Sequence, residues 1–280
     1  EDVQELQQAR DAELNILAVH TAARSACLDG KPRDAVKLLT QEIDADPNKH
    51  IPYANRSFLM SRLYDWESAL HDANQSITIK PSLTGYISKG IALCGKRQFQ
   101  ESTAAFDIAF TFAKKDSSLN HLIFLIKIIA LFNENEHDQA MQRIGELAST
   151  PCNDPIPSRI VEAYLHVKLG RTALRDYNSN VKFPIQLQEI ASAIDHLTTA
   201  VNASSFFFGL PIHTKYEVFI ELFGWDLKSL WETANKQLCH TLLMAGKHGE
   251  AFELFYSMMD KCDESTKDSL RAWFTALKSI

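Results

Sequence analysis

The chain has 280 residues, of which 45% are apolar, and a formal net charge of −6. That length is enough for one or two domains with a large buried core. Charges of both signs are spread along the chain without a basic block, so nucleic-acid binding driven by phosphate contacts is not expected. Its 10 Gly and 9 Pro are few, which favours long helices with short loops over a β-rich fold with many tight turns.

The cysteine pattern predicts a reducing compartment. The five cysteines are widely spaced, so we expect no disulfide framework and a cytoplasmic or other intracellular reducing location. Charged residues follow Glu1, which predicts no secretory signal, and the missing initiator Met favours a piece of a longer protein. The most apolar run, Leu122 to Phe132, is too short to cross a bilayer and contains Lys127. We interpret it as a buried helix and expect no membrane association.

A pattern of small and large residues repeats along the N-terminal half. Pro47 and Pro81 stand 34 residues apart and close the same pattern. In the second copy, a large aromatic residue stands at Tyr53, and small residues stand at Ser57 and Ala69. The pattern resembles the tetratricopeptide repeat (TPR), a helix–turn–helix unit of about 34 residues. The resemblance implies an all-α fold, a right-handed superhelical solenoid of about six helix pairs with a C-terminal capping helix.

Four such units are expected in residues 1–150. They begin near Ile16, His50, Leu83 and His121. Small residues in the first and second helix of each unit would let the two helices approach closely. In the fourth unit Asn135 replaces the turn glycine, a reasonable exchange where φ is positive.

The period breaks after residue 150, and residues 151–226 are expected to form an irregular region. A first helix is predicted from Ser158 to Leu169, with Gly170 as its end. Its partner helix is predicted from Gln188 to Asn202, so Arg171 to Leu187 would be an insertion.

Regular spacing returns in residues 227–280. Before it, still within the irregular region 151–226, Thr214 is predicted to be the N-cap of a linking helix that reaches Phe223. A last TPR-like unit is expected from Leu227 to Met259, followed by a capping helix from about Ser265 to Ser279. The stretch from Leu222 to Asp268 is also similar to segments of large fungal proteins that carry TPRs.

The TPR resemblance implies a protein-interaction scaffold or adaptor. In such stacks the first helices of the pairs line a concave face, which would bind a peptide or helix of a partner protein. The partner-binding residues expected on this face form a polar half, His20, Arg24, Asn55, Phe58 and Arg62, and an apolar half, Leu125, Ile129 and Tyr164.

Asn55 occupies one position of the carboxylate clamp with which some TPR proteins bind the acidic tails of heat-shock chaperones. The other clamp positions depart from the required Lys, Asn and Arg, because they hold His20, Arg24, Thr84 and Ser88. We therefore do not predict a working clamp, and a hydrogen bond from Asn55 across the groove or to a neighbouring helix is the simpler interpretation.

The inner positions of the fourth and fifth units are apolar nearly all round, and two interpretations stay open. In the first, the face receives an apolar segment of a partner; in the second, the chain fills it with Arg171 to Leu187 or with Phe206 to Phe208. A structural or self-assembly module, or one that docks onto another domain of a longer chain, is therefore the alternative to an adaptor.

No enzyme, cofactor or metal is expected. The chain contains no GxGxxG or Walker phosphate loop, no CxxC and no HExxH. Cys239, His240 and His248 could approach one another, but Cys239 stands in a small-residue position and is interpreted as a packing thiol. The identity of the partner and the oligomeric state are left open by the sequence.

Overall fold

The computed structural model describes residues 22–113, 116–149, 154–179 and 183–277. Within these ranges the regular structure is helical and no strand occurs, so the prediction of an all-α fold of TPR-like helix pairs is confirmed. None of the helices described combines the length and the apolarity that a membrane crossing requires.

The α-helices follow one another with short connections. In chain order they are α1 (Ala22–Leu28), α2 (Pro32–Ala45), α3 (His50–Arg62), α4 (Trp66–Ile79), α5 (Leu83–Gly95), α6 (Phe99–Ala113), α7 (Ser117–Asn133), α8 (His137–Ser149), α9 (Ile156–Ser179), α10 (Phe183–Ser204), α11 (Ile212–Lys215), α12 (Glu217–Phe223), α13 (Leu230–Met244), α14 (His248–Lys261) and α15 (Glu264–Leu277). A 3₁₀ turn, Ser205–Phe207, follows α10.

The chain forms two compact units. The first comprises Glu1–Thr150 with Pro211–Leu227, and the second comprises Pro151–Leu210 with Lys228–Ile280. The sequence predicted residues 151–226 to be one region, but the structure divides them. Residues 211–227 join the first unit because α12 packs against α1 and α3.

Small residues bring the paired helices of the first unit close together. The Ser57 hydroxyl on α3 donates a 2.7 Å hydrogen bond to the carbonyl of Ala69 on α4. In the next pair the donor is on the second helix, and Ser102 Oγ donates to the Gly90 carbonyl at 2.8 Å. A Cβ added at Gly90 would lie 2.8 Å from the ring of Phe106, so this crossing requires glycine.

The turns between paired helices use the left-handed backbone region. Gly30 has φ +74°, and Asn135 has φ +66°, as the sequence predicts for a substitute of glycine. The same region is adopted by Tyr64 and Arg97, with φ of 63° and 60°. The same positive-φ turn therefore recurs in these helix pairs, although the residue at the positive-φ position differs from pair to pair.

The predicted end of a helix at Gly170 is wrong, and the described parts of the predicted insertion, 171–179 and 183–187, lie in helices. Helix α9 continues through Gly170 to Ser179, and α10 begins at Phe183. A Cβ at Gly170 would lie 2.6 Å from Leu197 Cγ, so this glycine allows α9 and α10 to pack closely. It serves helix packing and does not stop the helix.

The predicted linking helix is two short helices. Thr214 lies inside α11, where its hydroxyl donates a 2.9 Å hydrogen bond to the Pro211 carbonyl, so it is not an N-cap. Helix α12 then runs from Glu217 to Phe223 and is capped by Gly224, which has φ +68°. Gly224 adopts the left-handed conformation common at helix C-termini.

An aromatic core closes the C-terminal end of the second unit. The rings of Phe255 on α14 and Phe274 on α15 stack with their centroids 4.0 Å apart, and Phe252 meets Phe274 edge-on. Leu270, one turn before Phe274, is fully buried. Helix α15 therefore covers the apolar side of the last helix pair, at the position predicted for the capping helix.

Candidate protein-interaction site

The chain itself occupies one surface of the first unit. Helix α12 packs against α1 and α3, the first helices of the first two pairs. We call this surface, which includes Arg24, Cys27 and Arg62, the N-terminal face. We call residues 211–227 the docked segment. The segment comes from far along the chain, since Arg24 and Glu221 are 197 positions apart.

Arg24 on α1 holds two carboxylates of α12. Its Nε donates to Glu221 Oε1, and its Nη2 donates to Glu217 Oε2, each at 2.5 Å. Residues four apart lie on one side of a helix, so a single guanidinium can meet both carboxylates. The Arg24 and Glu221 side chains are only 12% and 2% exposed, which makes this a desolvated ion pair.

Arg62 on α3 holds the C-terminal end of α12. Its Nη1 donates to the Glu221 carbonyl at 3.1 Å and to Cys27 Sγ at 2.8 Å. A Cβ at Gly224 would lie 2.7 Å from Arg62 Nη2. Glycine at this position therefore leaves room for the guanidinium beside the last carbonyls of the helix, where a cation is favourable.

Burial raises the pKa values of two groups at the contact between α12 and the N-terminal face. Burial raises the pKa of the Glu221 carboxyl, and Arg24 opposes that rise. Burial also raises the pKa of the Cys27 thiol, with Arg62 as the main opposing group. Cys27 is 1% exposed, and its thiol donates to the Glu221 carbonyl at 3.5 Å. In the docked arrangement the thiol is therefore protonated and shielded from solvent.

The docked segment also buries several apolar side chains. Phe219 and Leu222 on α12 are buried, as are Ile212 before it and Trp225 and Leu227 after it. The rings of Phe219 and Trp225 stack with centroids 5.4 Å apart. Burial of these side chains stabilises docking, while the arginine contacts fix the orientation of the segment.

The predicted polar half is only partly assembled on this face. Arg24 and Arg62 lie on it together, while Asn55 and Phe58 on α3 are 6% and 1% exposed. Asn55 Oδ1 is buried and has no hydrogen-bond partner among the residues described, so the hydrogen bond expected from the sequence is not found there for this atom. His20 lies outside the described residues.

The predicted apolar half is not an open surface in the parts of the chain described. Leu125 and Ile129 on α7 are fully buried in the first unit, and Tyr164 on α9 of the second unit is half-buried. Lys168 Nζ lies 5.6 Å from the centre of the Tyr164 ring. Partner binding by these three residues stays a prediction.

The sequence did not predict the occupant of the N-terminal face. Residues 171–187 and Phe206 to Phe208 were expected to fill a different surface, the inner face of the fourth and fifth units, and that expectation stays a prediction. The N-terminal face holds residues 211–227. Cys27, Glu217, Glu221 and Gly224 were missed as members of the site. The available signal was the four-residue spacing of Glu217 and Glu221, which matches one cation on another helix.

A histidine pair joins α9 and α10 in the second unit. The Nδ1 atoms of His166 and His196 are 3.0 Å apart. Burial lowers the pKa of His166 to about 4, with a further contribution from His196. Burial also lowers the pKa of His196, against the opposing effect of Asp195. The pair is therefore neutral in the folded protein near neutral pH.

Acidification is expected to destabilise the second unit through this pair. The unfolded chain takes up protons near its ordinary histidine pKa of about 6.5, while folded His166 resists protonation down to about 4, so stability present above about pH 6.5 is lost as the pH falls. Since His166 is partly exposed, we expect a loss of about 1–2 kcal/mol between about pH 7 and pH 4.5. Urea unfolding of the wild type, His166→Gln and the exposed control His248→Gln at both pH values measures it. An unchanged pH dependence in His166→Gln would contradict the prediction.

No protein-family model matches the chain. It is 31% identical over 106 residues to a protein SGT1 homolog from Oryza sativa subsp. japonica, covering 38% of this chain and 29% of the relative. It is 32% identical over 128 residues to the Hsp70-Hsp90 organising protein of Plasmodium falciparum, covering 45% of this chain and 48% of that protein. The chain thus spans less than half the length of these curated relatives.

Among solved structures, the type IV pilus biogenesis factor PilW aligns with a TM-score of 0.43 and 17% identity, covering 89% of this chain and 94% of PilW. The successive helix pairs of the chain, with their close crossings and left-handed turns, are themselves TPR-like in fold, as the sequence predicts. The similarity to fungal proteins expected from Leu222 to Asp268 stays a prediction.

Proposed function

We propose that this protein is a non-catalytic adaptor that binds a peptide or helix of a partner protein on its TPR-like surface. The observation that carries the proposal is the docked segment: the N-terminal face receives a short helix through apolar burial and two arginines. Helix-in-groove recognition likewise lays the apolar face of a helix against a partner surface. The partner is a protein, and neither nucleic acid nor membrane is part of the proposal.

The relatives support this proposal in a general way. The name of the Plasmodium relative, Hsp70-Hsp90 organising protein, describes a protein that assembles others. The free thiols Cys27, Cys94, Cys239 and Cys262 fit the proposed reducing compartment. A chaperone tail is a less favoured ligand, because Arg24 already holds Glu217 and Glu221 and Asn55 is buried.

Capture of partners by the tagged protein tests the adaptor function. We compare the wild type with Arg24→Glu and with the control Arg271→Glu, which changes an exposed arginine paired with Asp268. A partner bound through the N-terminal face should fall about tenfold or more in the Arg24→Glu sample and be unchanged in the control. If Arg24→Glu and Asn55→Ala both retain every captured protein, the binding surface lies elsewhere.

The alternative is a structural module whose surface is filled by its own chain or by another copy. The docked segment favours this alternative as well, because it covers the N-terminal face without a partner. Sedimentation at two protein concentrations separates self-assembly from an adaptor. A species that remains a monomer at both concentrations contradicts self-assembly.

A further inference from the structure

We propose that the docked segment, residues 211–227, is an internal competitor for the N-terminal face, and that the external ligand is an acidic amphipathic helix of a partner. This proposal rests on the proposed adaptor function and specifies its ligand. The ligand carries two carboxylates one helical turn apart, with large apolar side chains on the adjoining side. It displaces the docked segment and takes over its contacts.

The charges of the N-terminal face define the ligand. Arg24 is satisfied by two carboxylates, and Arg62 by the Glu221 carbonyl at the end of α12. With the segment released, the face would carry two cations and would lose the cover that the buried side chains of Phe219 and Leu222 now share with it. An acidic helix compensates both features, whereas a basic helix would be repelled.

The docked segment can be released without disrupting the core of the second unit. Its helices have four and seven residues, too short to be stable alone in water, so their helical form depends on the face that they contact. The aromatic and aliphatic core around Phe255 and Phe274 includes no residue of the segment. Release therefore removes the contacts of one element and leaves that core in place.

Cys27 reports on release, because it lies under α12. The Cys27 side chain is 1% exposed, and its thiol donates a hydrogen bond to the Glu221 carbonyl. Release would bring it to solvent beside Arg24 and Arg62, whose charges favour the reactive thiolate. In a Cys152→Ser, Cys262→Ser background the other cysteines are Cys94 and Cys239, which are both buried.

The first part of the experiment opens the face. In this background, Glu217→Gln/Glu221→Gln keeps the shape of α12 but removes both charges that Arg24 holds. We expect Cys27 to react with a maleimide about tenfold faster or more than in the parent protein. The matched control is Glu250→Gln/Glu264→Gln, which removes two carboxylates from exposed pairs with lysines and should leave the rate unchanged.

The second part offers a ligand to the opened face. The probe is a synthetic peptide with the sequence of residues 211–227, acetylated and amidated at its ends. Added to the opened variant, it should return Cys27 labelling to near the parent rate, and the same peptide with both glutamates changed to glutamine should not. Protection by neither peptide, or by both equally, would overturn the proposal. Protection that instead appears on raising the protein concentration would also overturn it, since the occupant would then be a second copy.

A second variant guards against misfolding of the first. Gly224→Ala places a Cβ at 2.7 Å from Arg62 Nη2 and strains a backbone with φ +68°, so it opens the face by another route. Helical circular dichroism and continued protection of Cys94 verify folding. If Cys27 stays protected in both folded variants, the segment is a fixed part of the first unit and the proposal fails. If the peptide protects Cys27 but the tagged protein captures no partner, the adaptor function is contradicted, whereas the preference of the face for an acidic helix is supported.

Discussion

Replacing Asp72 with alanine is expected to lower the free energy of unfolding of the first unit by about 3 kcal/mol or more. The Asp72 carboxylate accepts two hydrogen bonds from Arg56, at 2.7 Å from Nε and 2.9 Å from Nη2. Arg56 Nη1 also donates to Thr40 Oγ1 at 3.1 Å, so the guanidinium joins α2, α3 and α4. Without Asp72 this largely buried cation would lose its counter-charge.

Urea unfolding, analysed with separate transitions for the two units, measures the effect of Asp72→Ala. The control is Asp268→Ala, which breaks an exposed pair with Arg271 and should change stability by less than about 0.5 kcal/mol. Arg56→Met tests the mechanism: combined with Asp72→Ala it should recover part of the loss, because no unpaired charge remains. If Asp72→Ala and Asp268→Ala lowered the free energy of unfolding equally, the Arg56–Asp72 pair would contribute no more to stability than an exposed pair.

The repeat pattern predicted the local features that recur in every helix pair. Ser57 and Ala69 predicted a close crossing, and the structure joins them by a hydrogen bond. Asn135 predicted a turn with positive φ, which it has. These features depend on residues within about one repeat length, so a single sequence contains the information needed to predict them.

Glycine in a long helix was harder to interpret from the sequence. Gly170 was expected to end a helix, since glycine favours C-termini, but it permits the approach of Leu197 from α10. The local sequence does not tell a glycine that ends a helix from one that permits close packing. The residue that decides between them, Leu197, lies on the next helix. The predicted insertion followed from this one misassignment.

The composition of the candidate site depended on contacts that no periodic pattern contains. Arg24 was predicted to face a partner, and it faces Glu217 and Glu221 of the same chain. The sequence did not show that Arg24 pairs with these two glutamates, because many other arginines and glutamates of the chain have similar neighbours in sequence. Glu221 is buried where α12 packs against α1 and α3, and this tertiary contact decides the pairing.

Removing the ring of Phe274 is expected to destabilise the second unit by about 3–4 kcal/mol. Phe274→Ala would delete the ring that stacks on Phe255 and meets Phe252, and the cavity would lie beside the buried side chain of Leu270. Neighbouring helices can close only part of such a cavity, since protein cores are densely packed.

Tyr256→Ala is the matched control, because it removes a ring from the same aromatic neighbourhood that is 61% exposed. It should cost less than about 1 kcal/mol. Urea unfolding followed by tryptophan fluorescence should shift the second transition to lower urea in Phe274→Ala and leave the first unchanged. A loss no larger than that of Tyr256→Ala would mean that α15 does not seal the core. A shift of both transitions would mean that the two units unfold together, so that the stability measured for either one would belong to the whole chain.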